Sequence, residues 1–191
     1  MINQTVWETE WLLEYIQNNK LELHKMFIDA GCGDGMHQSN SHIFIKQGWN
    51  AILIDALRSN VTRCSMLYEN YKNVTCIKAT LSDKREDVFF KEDTRHWSLS
   101  KIDPAEGVAT KSMRLSDILK LYGVTQIGIC SIDLEGHETN VLTDLLHNRI
   151  YPQILIVEGN TLELMQQHRE MLSPFYKCIG GIFPNQFFMK L

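Results

Sequence analysis

The chain has 191 residues, 44% of them hydrophobic and 22% charged, which are the proportions of one globular domain that needs no staples to hold a core. Lys and Arg number 19 and Asp and Glu 23, for a net charge of −4, and this argues against a nucleic-acid partner because broad binding needs a basic surface to displace counterions. No apolar run reaches the ~20 residues that cross a bilayer, and the opening MINQTVWETEWLLEY lacks the basic-then-apolar order of a secretory signal, so a cytoplasmic chain with no membrane partner is expected.

Five cysteines, Cys32, Cys64, Cys76, Cys130 and Cys178, form no CxxC pair and no close Cys/His spacing. They read as reduced, mostly apolar fillers, with Cys32 set apart by its place inside a glycine loop. In chain order, Trp7, Trp11, Leu12 and Ile16 recur at helical spacing, so the first 25 residues read as a helical segment across a sheet edge. A short apolar strand, Met26-Phe27-Ile28, runs into Asp29 and the loop Ala30-Gly31-Cys32-Gly33-Asp34-Gly35. Residues 36–47 read as a helix stopped by Gly48, Ala51 to Asp55 as a second buried strand, 58–72 as a helix, and Val74 to Ala79 as a third strand. Asp87 to Phe90 and Val108 to Met113 read as extended. The polar stretch between them, 91–106, reads as a loop whose Arg95, His96 and Trp97 suit a lid over a ligand, or as a mobile connection only. A helix from Leu115 to Tyr122 follows, then a strand from Ile127 to Asp133, a helix from Glu138 to Asn148, a strand from Ile154 to Glu158 and a helix over 161–172. Tyr176–Ile182 and Phe187–Leu191 read as an antiparallel hairpin.

This alternation implies an α/β fold whose ligand sits at the carboxyl ends of the strands, near the switch in strand order. Four strand ends carry groups suited to chemistry. In the first, glycines at 31, 33 and 35 permit close backbone approach, while Asp29 and Asp34 would repel a pyrophosphate and suit a cationic ligand such as the ammonium or sulfonium of S-adenosylmethionine; a plain glycine-rich turn is the alternative. Asp55, at the second strand end, is placed to accept ribose hydroxyls or to cap a helix. At the third, Ala79 and Thr80 are small enough to flank an adenine or to form an ordinary turn. The fourth, Cys130-Ser131-Ile132-Asp133-Leu134-Glu135-Gly136-His137-Glu138, concentrates ionisable groups after a buried strand, and Glu158-Gly159-Asn160 ends the neighbouring one. A helix start that favours acids is the bland reading of that cluster.

Together FIDAGCGDG with Ser39-Asn40, then ILID, KATLSD, MRLSDIL, SIDLEGHE and ILIVEGN resemble the FkbM-type family of class I, S-adenosylmethionine-dependent O-methyltransferases. The resemblance runs from about residue 26 to 160 and departs from the usual pattern at Cys32-Gly33, where Ala-Asn is more common. It implies a doubly wound, Rossmann-like, seven-stranded and mostly parallel sheet with a C-terminal antiparallel hairpin, forming one domain over 1–191. It implies cofactor contacts from Asp29, Gly31, Gly33, Asp34, Asn40, Asp55, Ala56, Ala79 and Thr80, and methylation of a hydroxyl on a sugar, glycan or secondary metabolite.

Methyl transfer to an alcohol needs the acceptor aligned and its proton removed. His137 has the pKa range for a base, or it is a surface residue at a helix start. Asp133 is placed to orient the hydroxyl with Glu135 assisting, and Glu158, Asn160 and Trp97 to contact the acceptor. A divalent metal held by Asp133, Glu158 and Asn160 remains open, an arrangement that resembles catechol-type methyltransferases. Two other readings stay open: an oxidoreductase binding a nicotinamide dinucleotide, and a cofactor-binding protein of the same fold without catalysis.

Overall fold

The computed structural model describes residues 4–37, 39–93 and 100–191, with side chains from Thr9 onward. The chain opens with α1 (Gln4–Asn18), β1 (Met26–Ala30), α2 (His42–Lys46), β2 (Asn50–Asp55), α3 (Arg58–Leu67) and β3 (Val74–Lys78). It continues through β4 (Thr80–Leu81), β5 (Asp87–Lys91), β6 (Lys101–Ile102), β7 (Val108–Met113) and α4 (Leu115–Leu121). It closes with β8 (Ile129–Ile132), α5 (Glu138–His147), β9 (Ile154–Glu158), α6 (Leu162–Leu172), β10 (Tyr176–Ile182) and β11 (Asn185–Lys190).

Seven strands form one sheet in the order β10-β11-β9-β8-β1-β2-β3. The five from β3 to β9 run parallel, and β11 pairs antiparallel with both β9 and β10. The expected doubly wound sheet and antiparallel tail are therefore present. Their cause is plain in the residues. Continuous apolar runs such as Ala51–Ile54 and Ile154–Val157 are buried along their whole length, as strands covered on both faces must be. The side-chain period of two then divides them between two cores. Ile28, Ala30, Ile52, Ile54, Cys130 and Ile132 pack with Leu115, Leu119 and Val141 on one face. Phe27, Ala51, Leu53 and Ile129 pack with Leu12, Phe44 and Trp49 on the other. Trp11 of α1 lies over Phe187 of β11, with ring centroids 5.2 Å apart, and Leu12 packs in the cluster of Phe27 and Ile129, so the helix covers the face of the sheet and not only its edge; the side chain of Trp7 lies outside the described residues.

The chain moves outward through β2 and β3 and returns to place β8 against β1, so the order switches between these two strands. Gly31 sits at that point with φ +90, and a Cβ there would fall 1.7 Å from the backbone oxygen of Asp133. Only glycine lets the loop after β1 lie against the exit of β8.

Three expectations are corrected. The helix over 36–47 shrinks to His42–Lys46, because Asp34 Oδ1 accepts from the amides of Met36 and His37 and Ser39 Oγ from those of Ser41 and His42; side chains that close turns on their own backbone compete with a helix. The helix over 58–72 ends at Leu67. The stretch 91–106 is not a loop throughout, since β6 pairs with β5 in a second, four-stranded sheet of order β4-β7-β5-β6. Arg95, His96 and Trp97 of the expected lid lie outside the described residues. All five cysteines are free. Among the described residues no helix is long and apolar enough to cross a membrane.

Candidate functional site

A cavity of about 320 Å³ opens at the switch point, between the carboxyl ends of β1, β2, β8 and β9 and the inner side of the small sheet. One wall is the glycine loop with the end of β2. Asp29, the last charged residue before the loop, is only 3% exposed and accepts from Ser41 Oγ at 2.6 Å. Burial pushes its carboxyl up to about 6 even so. It lies behind the wall and does not line the cavity. Asp55 does line it, accepting from the Gly33 amide at 3.0 Å and the Leu57 amide at 2.7 Å. Burial raises its carboxyl to about 6, against the pull of the Leu57 amide. These two N–H bonds fix the loop relative to β2 before any ligand arrives.

Gly31, Gly33, Asn40, Ala56, Ala79 and Thr80 join Asp55 in the lining. Asn40 donates from Nδ2 to Ser131 Oγ at 2.9 Å, while its Oδ1 is buried with no partner. A buried carbonyl oxygen without a donor is costly, and Asn40 is among the residues that line the cavity. Asp34 stands apart: its carboxylate closes the turn to Met36 and His37 and meets His37 Nδ1 at 2.7 Å, and it does not line the cavity. His37, which the sequence reading passed over, does. Cys32 also reaches the cavity, with its sulfur 3.8 Å from that of Cys64. The contact with Cys64 pulls its thiol down, but burial and the charges of Asp29 and Asp55 carry it up to about 11, so it is an inert filler.

The opposite wall is the turn from β8 into α5 with the end of β9. Asp133, Glu135, His137 and Glu158 line the cavity, whereas Asn160 is exposed and outside it, its Nδ2 3.4 Å from Glu135 Oε2. Glu135 has φ +52. Among the described residues, the other non-glycine positions with positive φ, Lys20 and Arg149, follow the ends of α1 and α5, so Glu135 is the one of the three at the site, where strained backbone tends to be retained. Burial, then the charges of Asp133 and Glu138, raise its carboxyl to about 7. Burial lowers the pKa of His137 against the attraction of Asp83 and Glu86; its Nε2 lies 3.4 Å from Ser82 Oγ.

Asp133 and Glu158 stand at the adjacent ends of β8 and β9, and burial pushes both carboxyls up, with the charge of Asp133 pushing Glu158 further. A third carboxylate joins them. Glu138 opens α5, and its Oε1 accepts from the amides of Leu134 and Gly136 at 2.8 and 3.0 Å. Ligand atoms of Asp133, Glu138 and Glu158 lie within 4.8 Å of one another. The metal set considered above, Asp133 with Glu158 and Asn160, is thus not assembled; Glu138 stands in place of Asn160. Phe90 of β5, Ser100 just before β6, Ile102 of β6, Pro184, and Asn185 at the start of β11 complete the enclosure. The sequence placed β5 and the C-terminal hairpin but carried no signal that they close over the cavity, and β6 is too short to place.

Solved structures share this architecture. The METTL16 MTase domain superposes with a TM-score of 0.54 at 13% identity, covering 95% of this chain and 64% of that one. Pyrococcus abyssi tRNA (uracil-54, C5)-methyltransferase, in complex with S-adenosyl-L-homocysteine, gives 0.51 at 16% identity over 94% of this chain and 37% of that one. Monomeric WbdD gives 0.50 at 12% identity, with 95% and 40% covered. The chain therefore spans less than two thirds of the length of each. No curated protein sequence matches it. Residues 29–178, from the last charged position before the glycine loop to the middle of β10, match the methyltransferase FkbM domain, and the chain belongs to that methyltransferase family.

Proposed function

We propose that the protein is an S-adenosylmethionine-dependent O-methyltransferase whose acceptor is a hydroxyl of a sugar, glycan or secondary metabolite. The observation that carries this reading is a single cavity that sets the glycine loop, Asp55 and Asn40, whose buried Oδ1 has no partner, against Asp133, Glu135 and His137. The first wall fits the cofactor. Asp55 is the acceptor for ribose hydroxyls, Ala79 and Thr80 leave room for a base, and Asn40 Oδ1 takes an N–H from the amino-acid end. Bound there, the cofactor supplies a methyl group to the acceptor oxygen, and the sulfur keeps the electron pair of the broken bond.

The second wall does the rest. His137, half-buried and in its neutral form, takes the hydroxyl proton as the new bond forms, because an alcohol is too weak a nucleophile while it holds that proton. Asp133 and Glu135 align the hydroxyl, and Phe90 and Ile102 cover the apolar face of a ring. Asp55 would accept the ribose hydroxyls of either cofactor, and the family match is what favours S-adenosylmethionine over a nicotinamide dinucleotide.

Isothermal titration with S-adenosylmethionine and S-adenosylhomocysteine tests the reading. Saturable binding that Asp55→Ala weakens at least tenfold, ~1.4 kcal/mol, is the expected result. Absence of binding to either ligand removes the reading. Binding without methyl transfer to any member of a sugar and glycan panel favours a non-catalytic protein of the same fold.

A further inference from the structure

We propose that Asp133, Glu138 and Glu158 form a binding site for a divalent, oxygen-seeking cation of the Mg²⁺, Mn²⁺ or Ca²⁺ type, open to the cavity on one side. Three observations converge on it. The ligand atoms lie within 4.8 Å of one another, and twice a metal–oxygen bond is roughly 4.0–5.2 Å for these ions, so one ion touches all three carboxylates after at most a small contraction. Glu138 is 1% and Glu158 7% exposed, and the Oε2 of each is buried without a partner. Among the described residues, none of the three carboxylates forms an ion pair with a lysine, arginine or histidine.

A capping role explains Glu138 only in part. Its Oε1 already accepts both amides of the turn, so a cap needs nothing from Oε2. Leaving a carboxylate oxygen buried and empty costs more than a glutamine or an alanine would at the same position. A cation accounts for both orphan oxygens at once. All three donors are carboxylates, a set that suits hard cations and disfavours zinc or copper, which take nitrogen and sulfur.

Asp133 and Glu158 line the cavity and Glu138 backs them, so the unfilled coordination positions of the ion face the space assigned to the acceptor. This part of the inference rests on the methyltransferase reading. It narrows the acceptor to a molecule offering two adjacent oxygens, such as a vicinal diol, one of which is the methylated hydroxyl. The ion would then hold the pair in register with His137 and make the bound hydroxyl more acidic.

The test is titration of the chelator-treated chain with Mn²⁺, followed through the loss of the free-ion paramagnetic resonance signal. One Mn²⁺ per chain is expected, with binding weakened at least tenfold by Glu158→Gln and by Glu138→Gln, and unchanged by Glu163→Gln on the exposed side of α6. Glutamine at 138 keeps an oxygen for the two amides, and circular dichroism reports whether each variant folds. Should a variant fail to fold, Mn²⁺ broadening of amide resonances in the wild-type chain replaces it, expected at residues 133–138 and 158–160. Absence of saturable binding, binding that survives Glu158→Gln, or broadening elsewhere overturns the site. Titration of the same sample with S-adenosylmethionine separates the two readings. Cofactor binding without Mn²⁺ binding overturns the cation site alone, and Mn²⁺ binding without cofactor binding keeps the site and removes methyl transfer.

Discussion

On the β1–β2 wall of the cavity, Asp29 and Asp55 hand their charge to donors: a serine hydroxyl at 2.6 Å for one, backbone amides at 3.0 and 2.7 Å for the other. On the β8–β9 wall, Asp133 faces Glu158, Glu138 stands behind them, and two carboxylate oxygens are buried with nothing to accept from. Both walls are acidic and both are desolvated. The difference is that the carboxylates of the first have their donors in the free protein, whereas those of the second are satisfied only with a further positive charge. A wall of the first kind suits recognition of a ligand of fixed structure. A wall of the second kind suits a step in which charge or a proton moves.

The strongest way to break this comparison is to separate the walls. They touch where Gly31 meets the backbone oxygen of Asp133. Gly31→Ala would place a methyl group 1.7 Å from that oxygen at φ +90, and neither partner is a flexible side chain that can swing away. Overlap and unfavourable φ together are expected to cost about 2–5 kcal/mol, read from urea unfolding, with cofactor binding lost in whatever remains folded. A variant within about 1 kcal/mol of wild type would mean that the walls do not depend on this contact.

A smaller effect probes what stands behind the acidic wall. His168 of α6 is fully buried; its Nε2 lies 3.1 Å from Thr139 Oγ1, next to Glu138, and its Nδ1 has no partner. Burial lowers its pKa from 6.5 to about 4. The unfolded chain therefore takes up a proton below about pH 6.5 that the folded chain refuses until about pH 4. Stability from this residue is fully present above 6.5 and falls as the pH drops toward 4, by at most about 1.4 kcal/mol per pH unit. Urea unfolding at several pH values in this window should show a steeper loss for wild type than for His168→Gln. Equal slopes would remove the buried base from the account of this wall.

How much of this was legible in the sequence follows the same division. The seven-stranded sheet and the first wall were readable because continuous apolar runs, a glycine loop and an acid at the next strand end are local patterns. Asp55 stands at the strand end where those patterns put it, and Asn40, named only through the family resemblance, lines the cavity as well. Asp34 did not follow, since nothing in the loop sequence says that its carboxylate turns back onto the Met36 and His37 amides rather than toward a ligand. The acidic wall was legible as a concentration of charge but not as a geometry. Glu138 read as the start of a helix, which it is, and its approach to Glu158 depends on the turn through Glu135 at φ +52 and Gly136 at φ +98. The small sheet was least legible: β5 and β7 read as extended, but β4 and β6 have two residues each, and nothing local showed that the four belong to one sheet. Pairing across such distances carries no local periodicity.

That turn yields the finest discrimination between the walls. Gly136, like Gly31, has a positive φ, +98, but a Cβ added there meets nothing within 4 Å. Gly136→Ala therefore carries only the backbone preference, about 1 kcal/mol, against the several expected for Gly31→Ala. Because Leu134 and Gly136 both donate to Glu138 Oε1, even a slight shift of the turn moves the third carboxylate. The variant should thus lose little stability while weakening Mn²⁺ binding by a few fold and leaving cofactor affinity unchanged, since no cofactor contact passes through residue 136. Equal loss of cofactor and Mn²⁺ binding would show that the two walls respond as one unit, and the division between a finished wall and an unfinished one would fail.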